Sequence, residues 1–368
     1  MSYGLALYAQ DRTIDITSGW YPMAFKGTIE FTVKYLSAAD VVQDFVIPNG
    51  CRLFIQPAGA AVRHTSYVSF GSTVYTGYIV SSKCDGGRVT LSQSLWYGGA
   101  DSTLNNSVVK FNVYAYYPVA NVPDNYGILF ADGGVAVALS NANRLNVERF
   151  KYTITNADRE IDVSTAIAST EPPPSVYVSD TGYNAMASYV YSSGGYWRVK
   201  CLRAGGLYNV GSTYNDEPPR SGTVKIIAFG SPLQTLPSWG LAFYGDDGGV
   251  AFSSANPPEM PRGYLISPTP LANPPGSAGW HAIGDSNPQQ FPNFATKKPM
   301  YQARLIGAAK LSFTPFPVGI WLKSDGTFTC GVLTKGAGSM PVGGSAFGYW
   351  GESSVNSPIP YIHEDDYF

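Results

Sequence analysis

The chain has 368 residues, a formal net charge of −2, only 14% charged residues and 14% aromatic ones, with 26 Tyr, 40 Gly and 27 Pro. No basic block supplies the electrostatic footprint of a nucleic-acid binder, and no stretch has the length and apolarity of a membrane-spanning helix. Low charge with abundant Tyr, Gly and Pro is the profile of a turn-rich all-β chain, whose aromatic surface suits lasting protein contacts.

One phrase is written three times: an aromatic, a glycine, an apolar run, a turn and a second alternating run. It reads YGLALYAQDRTIDITS from Tyr3 and Gly4, YGILFADGGVAVALS from Tyr126 and Gly127, and WGLAFYGDDGGVAFSS from Trp239 and Gly240. The copies lie 126 − 3 = 123 and 239 − 126 = 113 residues apart. Solenoid and propeller repeats are roughly 20 to 50 residues long, so the spacing predicts tandem domains. The six aromatic and glycine residues are read as structural markers of the repeat.

After the first hairpin, TIEFTVKYL alternates Ile29, Phe31, Val33 and Tyr35 with Glu30, Thr32 and Lys34, the pattern of a strand with one buried face. RFKYTIT repeats it in the second copy, and Phe150 is matched to Ile29. CRLFIQPAG around Phe54 parallels PSVYVSDTG around Tyr177, and each copy then carries strand, Gly-Gly turn and strand. Lys110 and Lys225 each precede a closing apolar run, followed by proline-bearing connectors with Pro118 and Pro123 or Pro232 and Pro237. The expected organisation is a β domain at 1–122, its repeat at 123–237, and a divergent β domain at 238–368. The fold class expected is all-β, with tandem small antiparallel sandwich-like domains. VALSNANRLNVERF has spacing that a short helix could use, but no longer helical stripe is present.

The third copy diverges after its hairpin into a proline-rich stretch from Pro257 to Pro299, read as an extended arm ordered by neighbours or used in binding. Strand patterning resumes at YQARLIGAAKLSF, GIWLKSDGTFTCGVL reads as a hairpin turning at Asp325 and Gly326, and HEDDYF reads as a solvated tail.

Chemistry is sparse. His64, His281 and His363 stand in no GxSxG or papain-like setting, and neither a P-loop nor a GxGxxG is present. Cys51, Cys84, Cys201 and Cys330 are widely spaced without CxxC, so they read as buried small hydrophobes in a protein made in a reducing compartment. The DDGG turn at Asp246 and Asp247 lacks the spaced oxygens of a calcium loop. No enzyme activity, cofactor or metal is expected. Aromatic faces stack on sugars, and among the seven Trp residues Trp96, in a loop-like stretch, and Trp280, beside His281 in the proline-rich stretch, are the ligand-binding candidates.

The opening MSYGLALYAQDRTIDITS resembles the start of a group of tailed-bacteriophage virion proteins that begin with Met, a small residue and YGL, then a turn and a strand. The resemblance covers some 15 residues at each copy of the phrase. It implies a structural component of the phage tail, at the tail tip or baseplate, made in the bacterial cytoplasm without a signal peptide and released by lysis. The expected partners are copies of itself, as a trimer or hexamer, and other tail proteins, with no nucleic acid and no membrane insertion. A receptor-binding module for a host glycan or protein, a capsid decoration protein, and a depolymerising tail enzyme with a carboxylate pair are the alternatives.

Overall fold

A computed structural model of the chain describes residues 6–9, 12–15, 23–34, 39–47, 52–58, 62–69, 72–96, 106–116, 127–132, 135–140, 146–205, 218–231, 242–244, 249–253, 256–268, 288–311, 314–332, 351–353, 355–356 and 358–368. The protein is all-β, with several antiparallel sheets. Among the described residues the only helical element is a 3-10 turn, Glu364–Asp366, and no helix is long and apolar enough to cross a membrane.

In chain order the first copy holds β1 (Ala6–Ala9), β2 (Arg12–Asp15), β3 (Met23–Thr32), β4 (Val41–Asp44), β5 (Arg52–Ala58), β6 (Val62–Ser69), β7 (Ser72–Asp85), β8 (Arg88–Trp96) and β9 (Val108–Tyr116). The second holds β10 (Gly127–Asp132), β11 (Val135–Ser140), β12 (Val147–Asn156), β13 (Glu160–Ala168), β14 (Ser175–Asp180), β15 (Ala185–Ser193), β16 (Tyr196–Ala204) and β17 (Gly222–Gly230). The third holds β18 (Ala242–Tyr244), β19 (Val250–Ser253), β20 (Gly263–Leu265), β21 (Gln289–Gln290), β22 (Pro299–Gln302), β23 (Gly307–Leu311), β24 (Thr314–Leu322), β25 (Thr327–Val332), β26 (Gly351–Ser353), β27 (Val355–Asn356) and β28 (Ile359–His363).

Each copy of the repeated phrase forms a two-stranded antiparallel pair: β1 with β2, β10 with β11, β18 with β19. The strands that follow pair in one order three times over. In the first copy the triplets are β3–β9–β5 and β4–β8–β7; in the second, β12–β17–β14 and β13–β16–β15. In the third they are β20–β28–β22 and β21–β25–β24. The third copy, divergent in sequence and with much shorter strands, thus keeps the same pairing order.

Alternation places one face of each triplet inward. Ile29 and Phe31 are buried while Glu30 and Thr32 are exposed, and they pack with Ile55, Phe111 and Val113 against Val80, Val89 and Leu91 of the facing strands. The ladders correct the expected match of Ile29 with Phe150: Ile29 lies opposite Phe111 and Tyr152 opposite Ile226, so Ile29 corresponds to Tyr152. By the same criterion Tyr177 corresponds to Gln56, not Phe54, since Gln56 faces Asn112 and Tyr177 faces Ile227. Both slips are of two residues, which period-two alternation leaves invisible.

The second and third copies share both sheets. One runs β12–β17–β14–β22–β28–β20, a palindrome joined where Tyr177 and Val178 pair with Gln302 and Tyr301. In the other, β15 meets β24 at Ala185–Trp321 and Met186–Ile320. The approach is so close that a Cβ at Gly319 would lie 2.3 Å from the Met186 carbonyl, so only glycine fits. One core serves both copies, with Val176, Trp197 and Ile226 packed together with Tyr301, Phe328 and Ile359.

The first copy lays the outer face of β5 and β9 on this joint. The Arg304 guanidinium donates to Ile55 O at 2.8 Å and to Gln302 Oε1 at 2.6 Å, Tyr114 OH donates to Pro173 O at 3.2 Å, and β5 touches β15 in parallel at Ala58–Val190.

Two expectations are corrected here. The described parts of the proline-rich stretch are not an arm: Pro258 bridges Val147, residues 257–261 are buried, and β20 and β21 are strands of the two sheets shared with the second copy. Proline fits because short edge segments need few ladder donors; residues 269–287 lie outside the described residues. HEDDYF is not a solvated tail either, because it completes β28 and the 3-10 turn. Tyr367 is fully buried, its OH donating to Pro258 O and accepting from Met260 N, both at 2.8 Å. The segment suggested as a short helix is strand on both described sides, in β11 and β12.

Candidate functional site

A cleft of about 370 Å³ opens at the seam of the second and third copies, between the end of β14 and the turn after it (Ser179, Asp180, Thr181 and Tyr183), residues 294–299 leading into β22, Leu322, and Glu364 with Asp365. Its walls are local consequences of sequence. Asp180 ends β14 and accepts Gly182 N at 2.8 Å, an Asx turn. Asn184 Nδ2 donates to the other carboxylate oxygen at 2.8 Å. The turn puts Tyr183 at φ +52°, held by its N–H on Asp180 O at 3.1 Å and by Trp321 Nε1 donating to its carbonyl at 2.8 Å. On the opposite wall Asn293, at φ +57°, accepts Thr296 N and Lys297 N at 3.0 and 2.9 Å. Phe294 rests on the hairpin turn at Gly326, which has φ +83° and where a Cβ would lie 2.8 Å from the ring. The Tyr183 and Phe294 rings stand 6.4 Å apart at 59°.

Each acid of the cleft faces a cation, and Lys298 lies beside Lys297 in the lining. Asp180 is paired with Arg203 at 2.9 Å, with the two side chains 3% and 0% exposed. Glu364 accepts from Lys225 at 2.8 Å and from Ser179 Oγ at 3.1 Å. Asp365 and Lys297, both about half exposed, face each other at 4.0 Å. His363, just below, has its pKa lowered by burial. The cleft therefore offers hydroxyls, amides, bound carboxylates and two aromatic faces. Such a set can recognise a ligand by stacking and hydrogen bonding.

A second polar cluster lies where all three copies meet. Glu259, 2% exposed, accepts Asn146 Nδ2 at 2.8 Å, Ser175 Oγ at 2.6 Å and Tyr177 OH at 2.8 Å, and Tyr177 OH also reaches Met23 Sδ at 3.7 Å. Burial pushes the Glu259 carboxyl above its ordinary range, with the three donors pulling the other way, and burial next to that carboxylate raises the Tyr177 phenol. Cys84 and Cys201 are pushed up to about 12 by desolvation. Among the described residues, no group of His, Cys, Asp and Glu is arranged to hold a metal ion.

Of the residues singled out from sequence, Tyr3, Gly4, Tyr126, Trp239, Gly240, Trp280 and His281 lie outside the described residues. Gly127 opens β10 opposite Ser140. Trp96 closes β8 in the first copy, in a cross-strand row with Gly77 and His64, and so belongs to a different copy from the cleft. The cleft residues were missed. A usable signal existed in Asp180-Thr-Gly, an Asx-turn signature directly after a strand, and in Asp325-Gly326, whose turn carries Phe294.

No curated protein and no solved structure matches the chain. Residues 6–310, which take in the first two copies and the third as far as β23, match a family of unknown function, DUF6453. With most of its length matched, the chain belongs to that family.

Proposed function

We propose that the protein is a non-enzymatic structural component of a bacteriophage virion, placed in the tail tip or baseplate and assembled there as a symmetric trimer or hexamer with other tail proteins. The observation that carries this reading is the threefold recurrence of one strand-pairing order, with the second and third copies fused through both sheets. Moving those two copies apart would break ladder bonds in both sheets, which suits a scaffold. The resemblance of the opening hairpin supplies the phage assignment. Synthesis in the host cytoplasm and release by lysis follow from it.

Antibody labelling of intact virions tests the location. Label confined to the tail end supports the proposal; label over the head transfers the protein to capsid decoration; absence from purified virions refutes both. Light scattering on the purified protein tests the assembly, and a monomer at every concentration would refute the obligate oligomer. Recognition of a host surface is a second reading, favoured by the cleft between the second and third copies.

A further inference from the structure

We infer that the cleft at the seam of the second and third copies is a binding site for an uncharged saccharide. This goes beyond the structural reading and does not depend on it, since the site would exist wherever the protein sits.

Size comes first. About 370 Å³ lies within the range of small-molecule pockets, roughly 300 to 1,000 Å³, and suits one or two sugar rings. The charge pattern then selects the ligand class. A metal cation would need carboxylates to spare, yet Asp180 is committed to Arg203 and Glu364 to Lys225. An anion would meet three acids, Asp180, Glu364 and Asp365, against the two lysines of the lining, Lys297 and Lys298, of which Lys297 already faces Asp365. A neutral, hydroxyl-rich ligand pays neither penalty: Asp180 already holds four donors, while Glu364 and Asp365 still have lone pairs for a sugar hydroxyl.

The apolar wall supplies the remaining element. Phe294 and Tyr183 present partly exposed rings 6.4 Å apart, tilted so that one can meet the C–H face of a pyranose while the other closes its edge. Both are held before a ligand arrives. Phe294 is seated on the Gly326 turn, and the Tyr183 backbone is tied to Trp321 and Asp180. Little ordering entropy is then lost on binding. Thr181 and Thr296 line the cleft with hydroxyls that can donate or accept.

The test uses the full-length protein on an array of immobilised oligosaccharides ending in neutral hexoses, 6-deoxyhexoses and N-acetylhexosamines, with sialylated and sulfated glycans as charged comparators. The best neutral probe is then titrated by calorimetry. Binding of a neutral glycan is expected, weakened at least tenfold by Phe294→Ala and several-fold by Asp365→Asn. Asp365 is exposed, so its variant stays informative if Phe294→Ala fails to fold. Tyr196→Ala, at the exposed start of β16 in the second copy, should bind as wild type does. The inference is overturned if no neutral glycan binds, if only charged glycans bind, or if binding persists in the Asp365 and Phe294 variants and is lost in Trp280→Ala. Virion labelling is a separate measurement, so failure of one reading leaves the other standing.

Discussion

Removing Arg203 is the sharpest test of how the second copy is held. Its guanidinium donates through Nε and Nη2 to both oxygens of Asp180, at 2.9 and 3.3 Å, and through Nη1 to Asn156 Oδ1 and Asp158 O, each at 2.9 Å. It thereby ties the β12–β13 connection to the turn that forms one wall of the cleft. Most of the cost of its loss comes from Asp180, whose side chain is 3% exposed. The remaining Gly182 and Asn184 donors cannot replace a cation. Breaking a buried ion pair from one side costs about 3–5 kcal/mol, set against a total stability of roughly 5–15 kcal/mol for a typical domain. Arg203→Met should therefore lower the urea midpoint severely, followed by circular dichroism and Trp fluorescence. Arg203→Lys should recover part of the loss, because a point charge cannot serve four acceptors in one plane. The double variant Arg203→Met with Asp180→Leu should be more stable than Arg203→Met alone, since it removes the stranded carboxylate. A single variant within about 1 kcal/mol of wild type, or a double variant whose losses simply add, would refute the reasoning.

Gly326→Ala forces a side chain into φ +83° and against Phe294, and should cost about 1–2 kcal/mol, read as a drop in Tm with altered near-ultraviolet ellipticity. Tyr367→Ala empties a fully buried site packed on Phe229 at 5.1 Å and should cost about 3–5 kcal/mol, measurable by urea titration. Glu259 has its carboxyl pKa raised from the ordinary 4.5, so the native state holds a proton that the unfolded chain releases. Its contribution to stability is greatest below the unfolded value and declines as pH rises through the raised native one. Glu259→Gln should accordingly gain on wild type between acid and neutral pH, and a constant difference between the two would contradict the assignment. Cys84 and Cys201, both pushed up to about 12, should resist iodoacetamide near pH 8 until denaturant is added, as mapped by mass spectrometry.

Strand class was legible because alternation such as Ile29, Phe31 and Val33 against Glu30, Thr32 and Lys34 has one structural meaning. Register was not, because a slip of two residues preserves it, and this is how Phe150 and Phe54 came to stand in for Tyr152 and Gln56. The third copy's strands were hidden by brevity. Gly263–Leu265 and Gln289–Gln290 are too short for any periodicity, and the second is recognisable only by its pairing with Thr327 and Phe328. HEDDYF looked like a tail because charge suggests solvent, yet each acid has a partner supplied from elsewhere: Lys225 for Glu364, Arg262 for Asp366, Lys297 for Asp365. The cleft escaped for the same reason. Tyr183 and Phe294 come from different copies, and nothing local says that their strands adjoin.

The palindromic sheet also dictates an order of events during synthesis. The first copy can form the ladders among β3 to β9 once Tyr116 has left the ribosome, while its contacts with β15 and β27 must wait. The second cannot bury the β14 and β15 edges until β22 and β24 have been made, more than a hundred residues after β14 begins, and β28 comes later still. Until then it presents two open ladders to every other nascent chain in reach. Long-range pairing of this kind is slow and exposed to aggregation. Yield should therefore depend on how quickly the last residues, through Phe368, arrive to close the joint.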